Sequence, residues 1–374
     1  MLEDIPATSS RYRSIASSSD GIKLAAVVGG GYIYTSTDGG ANWTQATTAG
    51  SRNWQSIASS SDGTMLAAVV YGGYIYTSSD SGASWTQATS AGSRKWVSIA
   101  SSSDGIKLAA GMYDGFIYTS TDSGASWTER SSADCRTWWS IASSSDGIKL
   151  AACVGGGGKG YIYTSTDSGT TWTQATTAGS RQWRSIASSS DGDKLAAVVF
   201  AGYIYTSTDS GASWTQQSSA GSRYWKSIAS SSDGTTLAAV VGYDGFIYTS
   251  SNSGASWTQQ SSAGSRYWKS IASSYDPSSS DGTKLAAVVE DGYVYTSTDS
   301  GATWTAHVQW SSVPIPCPGL APLLATAPPA DAKEIVRRLP SDAVERLHMS
   351  LKFLWPRVPA AIVSHIARLV AIDL

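Results

Sequence analysis

Six arginines recur at one place in this chain. Arg52, Arg94, Arg136, Arg181, Arg223 and Arg266 each stand two residues before a tryptophan. A guanidinium offers a planar fork of donors that matches carboxylate, sulfate or phosphate, and its flat face stacks on aromatic rings. The regular spacing predicts either a set of anion contacts or a set of packing and capping contacts. A second series breaks that regularity. The residue after the recurring tryptophan is Arg184, Lys226 or Lys269 in three late copies, and Arg13 follows Tyr12 at the same place in the first. In the remaining copies it is Gln55, Val97 and Trp139. Arg13, Arg184, Lys226 and Lys269, with Trp139, Tyr224 and Tyr267, complete the candidate ligand-binding set. The four cations predict a basic arc that steers an acidic partner.

Other residue types offer less. Asp114, Asp244 and Asp291 are acidic loop residues, and an inverting glycosidase needs two carboxylates roughly 6.5–9.5 Å apart. Glu129 and Glu290 are the only glutamates between residues 11 and 309. His307, His348 and His365 lack metal-ligand spacing, and Cys135, Cys153 and Cys317 form no metal motif or disulfide framework, so neither metal nor cofactor is expected. Gly155 to Gly160, with Lys159, lacks the Gly-Lys-Ser/Thr ending of a phosphate loop and reads as a lengthened hairpin. Catalysis needs chemically distinct groups at one place, and near-identical repeats do not readily supply them. Non-catalytic binding is therefore the expected function, with glycoside hydrolysis the alternative.

What positions these residues is a repeat. Ser36-Thr37-Asp38-Gly39-Gly40-Ala41-Asn42-Trp43 recurs around Asp80, Asp122, Asp167, Asp209, Asn252 and Asp299, at separations of 42 to 47 residues. Seven copies fill residues 11–310. In the second, strand A is expected over 55–59, strand B over 65–70, strand C over 74–78 and strand D over 84–89. Asp-Gly and Gly-Gly pairs supply the turns. Four short strands every 40-odd residues is the period of a propeller blade, and a closed ring leaves only short protected edges. The predicted fold is all-β, a seven-bladed β-propeller of four-stranded antiparallel blades. Seven tryptophans fall in the repeated turns and six open strand A, with Tyr12 in that place in the first blade. Both sets are expected to pack between blades.

Ser-x-Asp-x-Gly-x-x-Trp resembles the Asp-box, or BNR repeat, of sialidases, sortilin-type receptors, xyloglucan-cleaving glycosidases and photosystem II assembly-factor propellers. The resemblance covers about 80% of the chain. It implies strand A nearest the axis and the Asp-box in the C–D turn, away from the ligand face. Asp38, Asp80, Asp122, Asp167, Asp209, Asn252 and Asp299 are then structural turn residues, consistent with a short side chain that accepts backbone N–H bonds. A sialidase would further imply three arginines converging from different blades, a Tyr–Glu pair and an Asp acid. The arginines here are instead repeat-regular, and no Arg-Ile-Pro element precedes the first Asp-box. The assembly-factor resemblance implies a protein partner; the receptor and glycosidase resemblances imply an acidic or neutral glycan.

In an up-and-down blade the A–B and C–D turns share one face, and the B–C and D–A loops share the other. The first face is uniform, with Asp20, Asp62, Asp104, Asp146, Asp191, Asp233 and Asp281 in its A–B turns. The second face varies from copy to copy, which marks it as the face free to specialise. The expected charge separation is therefore acidic on one face and basic on the other.

Residues 1–10 are expected to be an N-terminal extension, 311–329 a Pro-rich linker, and 330–374 a helical tail suited to peripheral membrane or partner contact. The formal charge of −2 argues against a nucleic-acid partner, and no apolar run reaches the ~18 residues of a membrane span. No signal peptide is visible, so a cytoplasmic monomer is the default expectation.

Overall fold

The computed structural model describes residues 11–155, 158–274, 283–290 and 292–307. The expected N-terminal extension, linker and helical tail lie outside the described residues. So do residues 275–282, which include Asp281 of the last A–B turn, and the candidate acid Asp291. Among the described residues there is no α-helix, and no helix long and apolar enough to cross a membrane.

The described strands, twenty-eight in number, fall into seven consecutive antiparallel meanders of four. Unit 2 shows the pattern: strand A is Arg52–Ser59, B is Leu66–Gly73, C is Ile75–Ser78 and D is Thr86–Ala88. Leu66 faces Ser59 on one side and Ser78 on the other, and Thr77 faces Thr86. Two boundaries differ from expectation. Strand A begins three residues early because Arg52 and Asn53 pair with Gly31 and Gly29 of the preceding unit. Strand D is cut short by a 3-10 turn, Thr89–Ala91, whose C-cap glycine Gly92 sits at φ +72°.

The seven A strands (Tyr12–Ser17, Arg52–Ser59, Arg94–Ser101, Trp138–Ser143, Trp183–Ser188, Arg223–Ser230, Trp268–Ser273) contact one another in a closed cycle. Strand A therefore lies innermost. Closure between the first and last units uses contacts that recur at other seams. Ile15 donates its N–H to the Ser270 hydroxyl at 3.4 Å, as Ile141 does to Ser98 at 3.0 Å. Lys284 Nζ reaches the Asp20 carbonyl at 2.6 Å.

Each unit is a thin slab packed on both faces. Tyr12, Trp54, Trp96, Trp138, Trp183, Trp225 and Trp268 are wholly buried. Trp54 packs on Ala25, Val27 and Ile33 of the previous unit and meets the Tyr76 ring edge-on at 5.2 Å. Burying one such ring contributes several kcal/mol, and truncating it costs about 3–5 kcal/mol. Both-face burial leaves no inside–outside alternation in strand C: Ile75 and Tyr76 are both buried.

The repeated turns consume their own polar groups. In unit 2 the Ser84 N–H donates to Asp80 Oδ1 at 2.9 Å, and Ser84 Oγ donates to Asp80 Oδ2 at 2.5 Å. The Ser78 hydroxyl donates to Asp80 and accepts the Gly82 N–H, while the Trp85 indole donates to the Gly82 carbonyl. Gly82 needs its φ of +91°, and a Cβ there would lie 2.7 Å from Thr35 of the previous unit. Asn252 keeps the geometry, its Oδ1 accepting the Ser256 N–H at 2.9 Å. These turns bond to the A–B turns beside them, as when Ser81 donates its N–H to the Thr64 carbonyl at 2.9 Å.

Candidate functional site

The B–C and D–A loops meet on the face opposite these turns, because each D–A arginine backbone pairs with the preceding unit's B–C loop. Arg52 pairs with Gly31, Arg94 with Gly73, Arg136 with Gly115, Arg181 with Gly160, Arg223 with Gly202 and Arg266 with Gly245. The arginine side chains turn away from the axis. In five of the six, Nε donates to the carbonyl of the 3-10 alanine or its equivalent three residues back, at 2.7–3.0 Å (Arg52, Arg94, Arg181, Arg223, Arg266). Each of the six guanidinium groups lies over a strand-C tyrosine of its own unit, 4.5–5.0 Å from the ring centroid. Arg136 is the exception in its bonding, since it pairs with Asp134 at 3.0 Å and its buried Nε has no acceptor. The arginine series thus occupies stacking and capping positions over the strand-C tyrosines.

The second series sits elsewhere. In all seven units the pairing of strands A and B slips by one residue just after the buried aromatic, between Trp54 and Ser56 in unit 2. The slipped residue is a β-bulge, left out of the ladder and re-aimed. Arg13, Gln55, Val97, Trp139, Arg184, Lys226 and Lys269 are those seven residues. Since strand A is innermost, they ring the axis on the B–C face.

Four units of this ring build one cluster. Arg184 lies over Trp139 at 4.7 Å and over Phe200 at 5.0 Å. Lys226 Nζ lies over Tyr243 at 4.5 Å and over Phe200 at 5.4 Å. Lys269 is paired with Glu290 at 2.8 Å. Tyr224, Tyr243 and Tyr267 stand side by side, with centroids 5.7 and 5.8 Å apart and exposures of 51, 53 and 44%. Among the described residues neither Arg184 nor Lys226 has a carboxylate partner, and the buried Nε atoms of Arg184 and Arg13 have no acceptor. Burial pulls Arg184 below the usual guanidinium range. Burial, with repulsion from Arg184 and Lys269, pulls Lys226 down to about 8, against the opposing pull of Glu290.

Phe200 and Tyr243 were not among the residues expected at the site. Tyr243 had one visible signal. Its B–C loop, Gly242 to Gly245, is one residue longer than its neighbours and puts a large ring at the tip. Tyr243 and Asp244 both adopt φ near +55°, a conformation that costs a bulky residue about 1–2 kcal/mol. Backbone strain of this kind concentrates at functional positions.

The carboxylates are dispersed. Asp114 accepts the Thr137 hydroxyl at 2.9 Å. Glu129 accepts the Tyr118 hydroxyl, where units 1, 2, 4, 5 and 6 use a glutamine against the same tyrosine. Burial, then that bond, pushes the Tyr118 phenol up to about 12, the opposite of an activated nucleophile. His307 bonds to Thr296 at 2.6 Å, and no metal-holding cluster of His, Cys, Asp or Glu occurs among the described residues. The opposite face is less acidic than expected. Lys107, Lys194 and Lys284 donate to neighbouring aspartate carbonyls there, and Lys149 pairs with Asp193 at 2.5 Å.

No protein-family model matches the sequence, and no curated protein sequence matches it. Solved structures of similar fold exist. The GH74 xyloglucanase from Xanthomonas campestris superposes with a TM-score of 0.64 at 15% identity, over 80% of this chain and 55% of that one. This chain therefore spans about half the length of that enzyme. YCF48 from Cyanidioschyzon merolae gives a TM-score of 0.59 at 14% identity, over 79% of this chain and 98% of that one. YCF48 bound to a D1 peptide gives 0.60 at 16%, over 82% and 98%. At these identities the likeness shows the β-propeller fold alone.

Proposed function

We propose that this chain is a seven-bladed, non-catalytic binding propeller that takes an acidic partner on its B–C/D–A face. The observation that carries the proposal is the pair Arg184 and Lys226, half-buried against aromatic rings with no carboxylate partner among the described residues. Lys269 and Arg13 extend the positive field, Glu290 tempers it, and Trp139, Tyr224 and Tyr267 offer flat contact area. Charges so placed govern encounter and selectivity more than raw affinity. The six arginines over strand C contribute to the same field from fixed positions.

A protein partner is the first class to test, since YCF48, a neighbour in fold, has been solved with a D1 peptide. The glycosidase alternative leans on the xyloglucanase neighbour and on Asp114, Asp244 and Asp291, of which Asp114 is tied to Thr137. Poly-glutamate, polygalacturonate and neutral xyloglucan, titrated at low and high salt, separate these possibilities. Expected is salt-sensitive binding of poly-glutamate that disappears when Arg184, Lys226 and Lys269 are all changed to Ala. Binding indifferent to both salt and that variant overturns the proposal. Release of reducing ends from xyloglucan, lost on changing one of the aspartates, establishes the alternative.

A further inference from the structure

Three cations converge from consecutive bulges onto one mouth of the ring, and among the described residues one carboxylate, Glu290, pairs with any of them. The Arg184 and Lys226 charges are each pressed against rings, and each lies close enough to act on the other. A singly charged carboxylate relieves one of them. A tetrahedral dianion relieves both, because its three terminal oxygens accept from a guanidinium edge and an ammonium at once. The rings add a second requirement. Tyr243, which lies against Lys226, and the flanking Tyr224 and Tyr267 leave about half of their surfaces in solvent. That surface suits a flat or apolar carrier attached to the anion.

We propose that this cluster is a site for a phosphate monoester borne on an aromatic carrier, with the doubly charged phosphate between Arg184 and Lys226 and the carrier against Tyr224, Tyr243 and Tyr267. The proposal rests on the acidic-partner role given to the same cluster, and it narrows that role to a dianion.

The groups that face Lys226 are Arg184 from strand A of unit 5, Lys269 from strand A of unit 7, Glu290 from the unit-7 B–C loop and Tyr243 from its own unit. Burial first, then repulsion from Arg184 and Lys269 against the pull of Glu290, brings the Lys226 ammonium down to about 8. A phosphate monoester gains its second charge near pH 6, so the two titrations bracket a window.

The test is calorimetric titration of the full chain with phenyl phosphate, phenyl sulfate, benzoate and phosphoserine. Phenyl phosphate is expected to bind about tenfold more tightly than phenyl sulfate or benzoate at pH 7.5, since it alone carries two charges. Its affinity should rise through pH 6 and fall through pH 8, while phenyl sulfate shows only the fall. Phosphoserine, which lacks a ring, should bind more weakly than phenyl phosphate. Phosphotyrosine and a nucleoside 5′-monophosphate, titrated side by side, separate the two common carriers. Lys226→Met should cost at least tenfold. Glu290→Gln, which frees Lys269, should tighten binding severalfold, a gain that misfolding cannot imitate. Equal affinity for benzoate and phenyl phosphate, with poly-glutamate still bound, overturns the dianion site and leaves the acidic-partner role standing. Failure of every anion, poly-glutamate included, overturns both.

Discussion

Arg223→Met separates a packing arginine from a ligand-binding one. In the folded chain Arg223 Nε donates to the Ala220 carbonyl at 2.7 Å, and its guanidinium lies 4.6 Å from the Tyr248 centroid. The Met side chain keeps the apolar stem and removes both interactions. A net hydrogen bond contributes about 0.5–1.5 kcal/mol, and an exposed cation–π contact about 0.5–1 kcal/mol. The expected loss is then about 1–2.5 kcal/mol, or, at ~2.1 cal/mol/K per residue over roughly 300 residues, a fall in Tm of about 2–4 °C. Arg223→Lys keeps the charge but not the Nε donor, so it should lose the hydrogen-bond share. Arg136→Met is the internal control. Asp134 replaces the glycine found at the equivalent place in the other D–A loops, Arg136 Nε has no acceptor, and the Arg136–Asp134 ion pair that the variant also removes is solvent-exposed and contributes about 0–1 kcal/mol, so its loss should be smaller. Urea and thermal unfolding followed by tryptophan fluorescence read all three. A Tm unchanged in Arg223→Met, together with a tenfold loss of poly-glutamate binding, would refute the argument and return the arginines to the ligand.

Acid should unfold the chain in a narrow window. Hydrogen bonds from Ser84 and Ser78 hold the Asp80 carboxylate at about 2, and those from Ser60 and Thr64 do the same for Asp62. Folded-state values below the ordinary one mean that stability is complete above pH ~4 and is lost as pH falls toward 2. Asp80→Asn copies the arrangement at Asn252 and should flatten that pH dependence in urea midpoints while barely altering stability at pH 7; a large loss at pH 7 would show that the charge itself is needed. Tyr243→Gly relieves a left-handed backbone worth about 1 kcal/mol while removing the ring beside Lys226. Unfolding should therefore shift little and anion binding should fall, whereas a loss above about 2 kcal/mol would mean the ring serves packing. Val97→Lys places a cation on the neutral side of the bulge ring. The urea midpoint should move by less than about 0.5 kcal/mol equivalent and poly-glutamate affinity should rise, and unfolding of this variant would show that the position is packed.

The repeat, the strand count within each copy and the turn roles of Asp38 and its equivalents were legible because they follow from local spacing. The side-chain hydrogen bonds of each turn span at most four positions, so one copy of the motif contains most of its own explanation. The site was legible only in part. The arc Arg184, Lys226, Lys269 could be read from its departure from the repeat. The place of the arginines over strand C could not, because it depends on the 3-10 turn that brings the Ala49 carbonyl beneath Arg52 Nε. Phe200 and Tyr243 also escaped, since their partners come from other strands and other units. The bulge explains why the informative differences gather where they do. At the preceding residue an aromatic is wholly buried in every unit, and substitution there would open a cavity between slabs. One residue later the backbone leaves the ladder, and Arg, Gln, Val, Trp and Lys all occur without altering the pairing that follows. A ring of such positions lets near-identical units hold one architecture while their axial face changes its chemistry residue by residue.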